Sequence, residues 1–289
     1  MQIRTAVIPA AGYGTRFLPL TKAIPKEMLP LVDRPVIQYA VDEAVAAGID
    51  RIVLVTSEGK DAMESYFSVL PALEETLAQR NSPKLAEVQR VSRMATIEMV
   101  IQDQPLGLGH AVLCAKEAVG DEPFIVYLPD EIFRGTPTAT QQMLAAFDEL
   151  GTSVIGVKNV ALDDVERYGV VAGERVSDHT LRLTRTVEKP KKDVAPSTLA
   201  IFGPYIFTPA IFACLESITS GAIGELQLTD GIDLLAQREA VHAQTLDVRR
   251  YDAGTPLGLL QTSVELALEH PDYADAMRTW LHDLAERTD

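Results

Sequence analysis

Short apolar runs and amphipathic stretches alternate along the first 160 residues. The runs over 5–8, 51–55, 97–101, 124–127 and 153–157 are rich in Val and Ile and too short for helices, which predicts buried strands. Between them, 36–47, 61–80, 108–119 and 138–150 carry apolar residues at helical spacing and predict helices. Strand–helix alternation of this kind implies a mostly parallel sheet covered by helices on both faces. Right-handed crossovers then put the ligand beyond the carboxyl ends of the strands. The segment after 5–8 and the segment after 124–127 both leave the sheet at that edge.

The second half is less regular. Residues 170–172 and 181–187, with Ser177-Asp178 between them, read as a hairpin, and 200–207 and 241–246 as further strands. Helices are expected over 208–215 and 229–237, and the tail over 256–286 is helical, with Leu259, Leu260, Val264, Leu266 and Leu268 as its apolar contacts. No repeat or Ser/Gly linker divides the chain. The expectation is one α/β domain over 1–289, with a Rossmann-like, mostly parallel or mixed sheet sandwiched by helices. It comprises a nucleotide-binding half over 1–160, a second half over 161–250 and a helical tail over 255–289.

The chemistry is concentrated after the first strand, in Ala10-Ala11-Gly12-Tyr13-Gly14-Thr15-Arg16, followed by Lys22 and Lys26. Glycines let backbone amides approach a ligand closely. Arginine fits phosphate oxygens as a planar fork, and lysine adds a point charge. The loop does not match G-x-x-x-x-G-K-[ST], and Phe17 stands where the dinucleotide fingerprint needs a third small residue. A polyphosphate cradle of another kind is the remaining reading. Asp130, at the end of the 124–127 strand, has the position and chemistry of a Mg²⁺ ligand above such a cradle.

Composition narrows the partners. A net charge of −15 repels nucleic acid and anionic lipid, so the cations must be gathered locally. No window approaches a membrane span, and the opening MQIRTAVIPAAG lacks the pattern of a signal peptide. Cys114 and Cys214, the only cysteines, are too far apart for a metal knuckle and fall in apolar segments. Free thiols in a reducing cytoplasm are expected.

The loop, together with TKAIPKEMLPLVDRPVIQY (21–39), GLGHAVLCA (107–115), LPD (128–130), YGVV (168–171), VEKP (187–190), DVAPSTLAIFGPY (193–205), GELQLTDGID (224–233) and YDAG (251–254), resembles the bacterial sugar-nucleotide pyrophosphorylases. These belong to the wider nucleotidyltransferases, and Lys26-Glu27 marks the uridylyl branch, where the thymidylyl branch usually has Lys-Gln. The resemblance implies a nucleotidyltransferase fold and transfer of a uridylyl group from UTP to glucose 1-phosphate, releasing pyrophosphate. It assigns the triphosphate to Gly12, Gly14, Thr15 and Arg16, main-chain contacts with the nucleoside to Ala11 and Gly12, and the transferred phosphate to Lys26. The pyrimidine edge falls to Gln102, with Gly107 beneath the base. Gly169, Glu188, Lys189 and Gly203 would hold the sugar phosphate, and Asp130 and Asp252 the Mg²⁺. Glu131 departs from the usual residue after the metal aspartate, leaving open whether it approaches the metal or faces solvent. His110 reads as structural, and Asp230 as a possible helix cap. A homo-oligomer, dimer or tetramer, is expected. The alternatives are a thymidylyltransferase and a non-catalytic sugar-nucleotide regulator.

Overall fold

The computed structural model describes residues 3–218 and 224–288. The extreme ends of the expected 1–289 domain and of its 255–289 tail therefore lie outside the described residues.

Among the described residues, nine strands form the main sheet: β1 Thr5–Pro9, β2 Arg51–Thr56, β3 Thr96–Ile101, β4 Phe124–Val126, β5 Ser153–Asn159, β6 Gly169–Arg175, β7 Thr180–Glu188, β8 Leu199–Phe207 and β9 Val241–Thr245. Their order is β3-β2-β1-β4-β8-β5-β9-β7-β6. The first four are parallel, with Val7 opposite Val53 on one side and Val126 on the other. The chain builds outward from β1 to β3 and then returns to place β4 on the far side of β1. That reversal opens a crevice between the loops leaving β1 and β4.

Beyond β4 the sheet is mixed rather than mostly parallel. β8 runs antiparallel to both β4 and β5, and β7 is antiparallel to β9 and β6. The hairpin β6–β7 needs no crossover helix, so nothing in this part forces parallel pairing. Because β8 lies between β4 and β5, strands of both halves share one sheet.

Side-chain alternation gives the sheet two cores. Ala6 and Ile8 of β1 join Ile37, Val41, Met143 and Phe147 on one face. Val7 joins Val112, Phe212, Ile232 and Leu235 on the other. The helices of the first face are Val36–Ala46 and Ala139–Leu150, the latter opened by Thr138 in a capping box with Gln141. Those of the second include Leu108–Cys114, Ala210–Ser217 and Leu228–Arg238.

Three expected helices are divided. The stretch 61–80 becomes Asp61–Phe67 and Pro71–Gln79, because Ser68 is extended and Leu70 precedes a proline. The stretch 108–119 is interrupted at Ala115, before Lys116–Val119. The tail forms Pro256–Glu269 and Ala274–Thr288, with the His270-Pro271 step between them. A further helix, Lys84–Arg93, buries only Val91, too narrow a stripe to be read from apolar spacing.

Two small additions shape the crevice. Arg249–Asp252 pairs antiparallel with Glu131–Arg134, setting Asp252 opposite Glu131. Ile132, Tyr251, Ala253, Leu31, Val36 and Leu266 pack as a separate cluster beneath this ribbon. On the sheet itself, the β8–β5 register shifts between Ile201 and Tyr205, around Gly203 at φ +76°. A Cβ on the facing Gly156 would stand 2.5 Å from the Gly203 carbonyl oxygen. Gly156→Ala is therefore expected to lower stability by about 1–3 kcal/mol. Urea unfolding measures this, and an unchanged midpoint would show that β8 gives way at no cost.

Candidate active site

The chain leaving β1 folds back through three short turns, Thr15–Phe17, Leu20–Lys22 and Lys26–Met28. Gly14 sits in the left-handed region at φ +63°, and a Cβ there would be 3.0 Å from both the Lys26 Cβ and the Thr21 Cγ2. The Thr21 hydroxyl donates to the Gly14 carbonyl at 2.9 Å. Glycine at this point is thus what lets Lys26 tuck against the loop. Together they wall a cavity of about 420 Å³. Ala11, Gly12, Gly14, Thr15, Arg16 and Lys26 line one part of it, and Gln102, Gly107 and Glu225 another. Lys22 is exposed, and among the described residues it forms no ion pair and does not line this cavity.

Lys26 Nζ lies 2.7 Å from Asp130 Oδ2, joining the β1 loop to the end of β4. Burial pushes the Asp130 carboxyl up, but the charge and hydrogen bond of Lys26 pull harder, and the group ends below its ordinary value. The neighbouring ribbon delivers Asp252. A Cβ on Gly254 would lie 2.8 Å from Asp130 Oδ2 and 3.1 Å from Asp252 Oδ1, so two carboxylate oxygens face a space that only glycine leaves open. Arg16 Nη1 reaches the Gly254 carbonyl at 3.4 Å, closing the loop over the same point. Two carboxylates beside a phosphate cradle are the donor set that Mg²⁺ favours, with phosphate and water completing its shell.

Glu131 is turned away from solvent and onto Arg250. It receives a bidentate pair from Arg250, Nε to Oε2 at 2.5 Å and Nη2 to Oε1 at 2.7 Å. The Arg250 guanidinium lies 3.9 Å from the Phe202 ring centroid, and its Nη2 is 3.9 Å from Asp252 Oδ2. Burial, reinforced by Asp130 and Asp252, pushes the Glu131 carboxyl up to about 8 against the pull of Arg250.

Gln102 is 5% exposed, and its amide is oriented by two groups. Nε2 donates to the Gly107 carbonyl at 3.2 Å and approaches His110 Nδ1 at 2.9 Å. A carbonyl can only accept, so the amide nitrogen must face it. With both hydrogens committed inward, Oε1 is the atom left for a ligand. His110 is thus a partner of Gln102, the residue expected at the pyrimidine edge. Its position at i+8, at the start of the next helix, was the available signal.

The second subsite forms where β7 ends. Thr229 Oγ1 donates to Glu188 Oε2 at 2.7 Å, and Lys189 Nζ lies 3.3 Å from Glu188 Oε1. Lys189 has φ +44°, a local reversal that brings the two consecutive side chains to one side. A Cβ on Gly169 would meet Thr229 Oγ1 at 2.9 Å and Glu188 Oε2 at 3.1 Å. The buried Tyr205 hydroxyl is driven far up by burial and then by the charges of Glu131, Glu188 and Asp130. Gly203 does not line the first cavity; it lies at the β8 bulge, where a Cβ would come 2.8 Å from the Tyr205 ring. Asp230 stands inside the first turn of its helix rather than capping it, its carboxyl raised by burial and by Glu188 and Asp233. Glu225 is drawn to the end of the cavity that Gln102 and Gly107 line because residues 224–227 dock on 106–109. There Leu226 N donates to the Leu106 carbonyl at 2.7 Å, and Gly109 N to the Leu226 carbonyl at 2.9 Å.

This geometry has close counterparts. The profile of a family described as Nucleotidyl transferase matches residues 5–269. The chain belongs to the nucleotidyltransferase family. A UTP–glucose-1-phosphate uridylyltransferase of Bacillus subtilis is 42% identical over 287 residues, covering 99% of this chain and 97% of that one. One from Staphylococcus epidermidis is 43% identical over 284 residues, covering 98% and 99%. Among solved structures, a UTP-bound UDP-glucose pyrophosphorylase of Acinetobacter baumannii superposes with a TM-score of 0.89 at 37% identity, over 98% of this chain and all of that one. A UDP-glucose pyrophosphorylase complexed with UDP-glucose gives 0.85 at 37% identity, over 93% and 100%.

The Lys26–Asp130 pair makes a pH-dependent contribution with a definite sign. The folded carboxyl lies below its ordinary value of 3.8, so the pair stabilises fully above that pH and fades as pH falls through the lower folded value. Asp130→Asn is expected to be less stable than wild type by a constant amount above about pH 5, and by a shrinking amount below 3.8. Denaturation midpoints across pH 3 to 6 would check this; a gap that widens on acidification would contradict it.

Proposed function

We propose that this nucleotidyltransferase transfers the uridylyl group of UTP to glucose 1-phosphate, giving UDP-glucose and pyrophosphate. The observation that carries this reading is a single cleft. In it the glycine loop, Arg16 and Lys26 meet Asp130 across the β1–β4 crevice, and a glutamine with its acceptor free stands at the base end. The near full-length likeness to uridylyltransferases supports the choice of nucleotide and sugar.

Both reactants are anions, so the work of the site is positioning and charge neutralisation. The loop and Arg16 hold the triphosphate. Lys26 faces the transferred phosphorus. Lys189, half-exposed at the end of β7, pairs with the sugar phosphate, while Glu188, fixed by Thr229, accepts from sugar hydroxyls. The attacking oxygen is already ionised and needs no strong base. Asp130 and Asp252 would hold Mg²⁺, which supplies further neutralisation of the phosphates in an in-line displacement. The convergence of their oxygens on Gly254 supports this assignment.

A cytoplasmic homo-oligomer, dimer or tetramer, completes the reading. It is supported by two features. Among the described residues no helix is long and apolar enough to cross a membrane, and Leu257, Leu260 and Trp280 of the terminal helices are exposed.

Pyrophosphate release is expected from UTP and glucose 1-phosphate only with divalent metal, to be lost with chelator, and to be at least about tenfold slower with dTTP. Equal rates with the two nucleotides would refute the uridylyl assignment. Lys189→Ala is expected to raise the KM for glucose 1-phosphate by about 10- to 100-fold and leave the KM for UTP within about twofold. Steady-state kinetics separates the two, and an effect confined to UTP would show that the subsites are exchanged.

A further inference from the structure

Lys60, just before the helix Asp61–Phe67, lies outside the residues that line the cavity, yet it reaches the back of the glycine loop. Its Nζ donates to the Ala10 carbonyl at 2.5 Å and to the Gly12 carbonyl at 2.7 Å. It also stands 3.3 Å from Glu27 Oε2. The Lys60 side chain is 11% exposed and that of Glu27 1%. Burial pushes the lysine down and the carboxyl up, and their mutual attraction opposes both shifts. Its three hydrogen-bond partners among the described residues are all oxygen acceptors, the surroundings that suit an ammonium.

The consequence follows from peptide geometry. In a trans peptide the carbonyl and the next residue's N–H point in opposite directions. Drawing the Ala10 and Gly12 carbonyls toward Lys60 turns the amides of Ala11 and Tyr13 away from it. Both of these residues line the cavity. Among the described residues neither amide donates a hydrogen bond to another group of the chain. Two unpaired N–H groups aimed to one side of a loop are an anion-binding arrangement.

We propose that Lys60, anchored by Glu27, is a positioning residue that sets the glycine loop so that the Ala11 and Tyr13 amides face the bound nucleotide. Lys60 touches no reacting atom; it acts through the loop. Glu27 serves as its counter-ion and fixes the ammonium between the two carbonyls. The inference rests on the assignment of this cavity to UTP.

The test compares Lys60→Met and Glu27→Gln with wild type, binding UTP by calorimetry and uridine by ligand-observed NMR. Wild-type affinity for UTP is measured first, because its absence would overturn the assigned function rather than the role of Lys60. Given that affinity, Lys60→Met is expected to weaken UTP by about 30-fold or more and uridine by a clearly smaller factor, since uridine lacks the phosphates that the Tyr13 amide would meet. Glu27→Gln keeps the shape and loses the counter-charge. It is expected to weaken UTP in the same phosphate-selective way, by a smaller factor. The KM for glucose 1-phosphate should stay within about twofold in both. Unchanged UTP affinity in Lys60→Met would overturn the proposal. So would an equal loss of UTP and uridine in both variants, which is the signature of a collapsed cleft.

Discussion

Opposite charge at the β1–β4 crevice is the constraint around which the site is arranged. Lys26 arrives on the third turn of the loop after β1, and Asp130 on the last residue before the ribbon that follows β4. More than a hundred residues separate them in sequence, but β1 and β4 are adjacent and parallel, so their ends meet. Each side chain is about a quarter exposed, a setting in which an ion pair is stronger than on an open surface. The pair also sets the charge balance for binding. An incoming phosphate can take Lys26 from Asp130. That exchange leaves Asp130 beside Asp252 with no cation of its own, the balance that the proposed magnesium would meet.

The same edge explains why several small residues are needed. Gly254 leaves room between the two aspartates, and Gly14 admits Lys26 beneath the loop. Gly107 and Gly109 allow residues 224–227 to dock: a Cβ on either would come within 2.8 Å of the Leu226 carbonyl oxygen. Through that docking the second half of the chain helps to close the base end of the cleft. The two halves are therefore joined twice, once in the sheet through β8 and once at the site.

Much of this was legible from periodicity and spacing. The four parallel strands, the loop with Arg16 and Lys26, and the position of Asp130 all follow from short-range patterns, and the structure brings these groups to one edge of the sheet, whereas Lys22 stays outside the cavity. What was not legible depends on long-range register. Glu131 meets Arg250 only because Arg249–Asp252 pairs with Glu131–Arg134 at one particular offset. His110 orients Gln102 because a helix begins just after the Gly107 turn, at φ +103°. The antiparallel character of β8 and the break in 61–80 reflect, respectively, tertiary choice among strand partners and a proline whose effect outweighed the apolar spacing around it.

The restraint on Gln102 bears directly on nucleotide choice. A free glutamine amide could rotate to offer either a donor or an acceptor and would serve several bases. Here the Gly107 carbonyl and His110 hold the nitrogen inward, so a base bound as proposed would meet an acceptor. Uracil presents an N3–H donor on its imide edge, which satisfies that oxygen. Cytosine presents a lone pair at N3, and two facing acceptors in a buried site leave both unsatisfied, at a cost of about 1–3 kcal/mol or more. Thymine has the same imide edge as uracil, so this glutamine cannot tell them apart. Discrimination against the thymine methyl must come from the walls of the pocket, by steric exclusion rather than by hydrogen bonding.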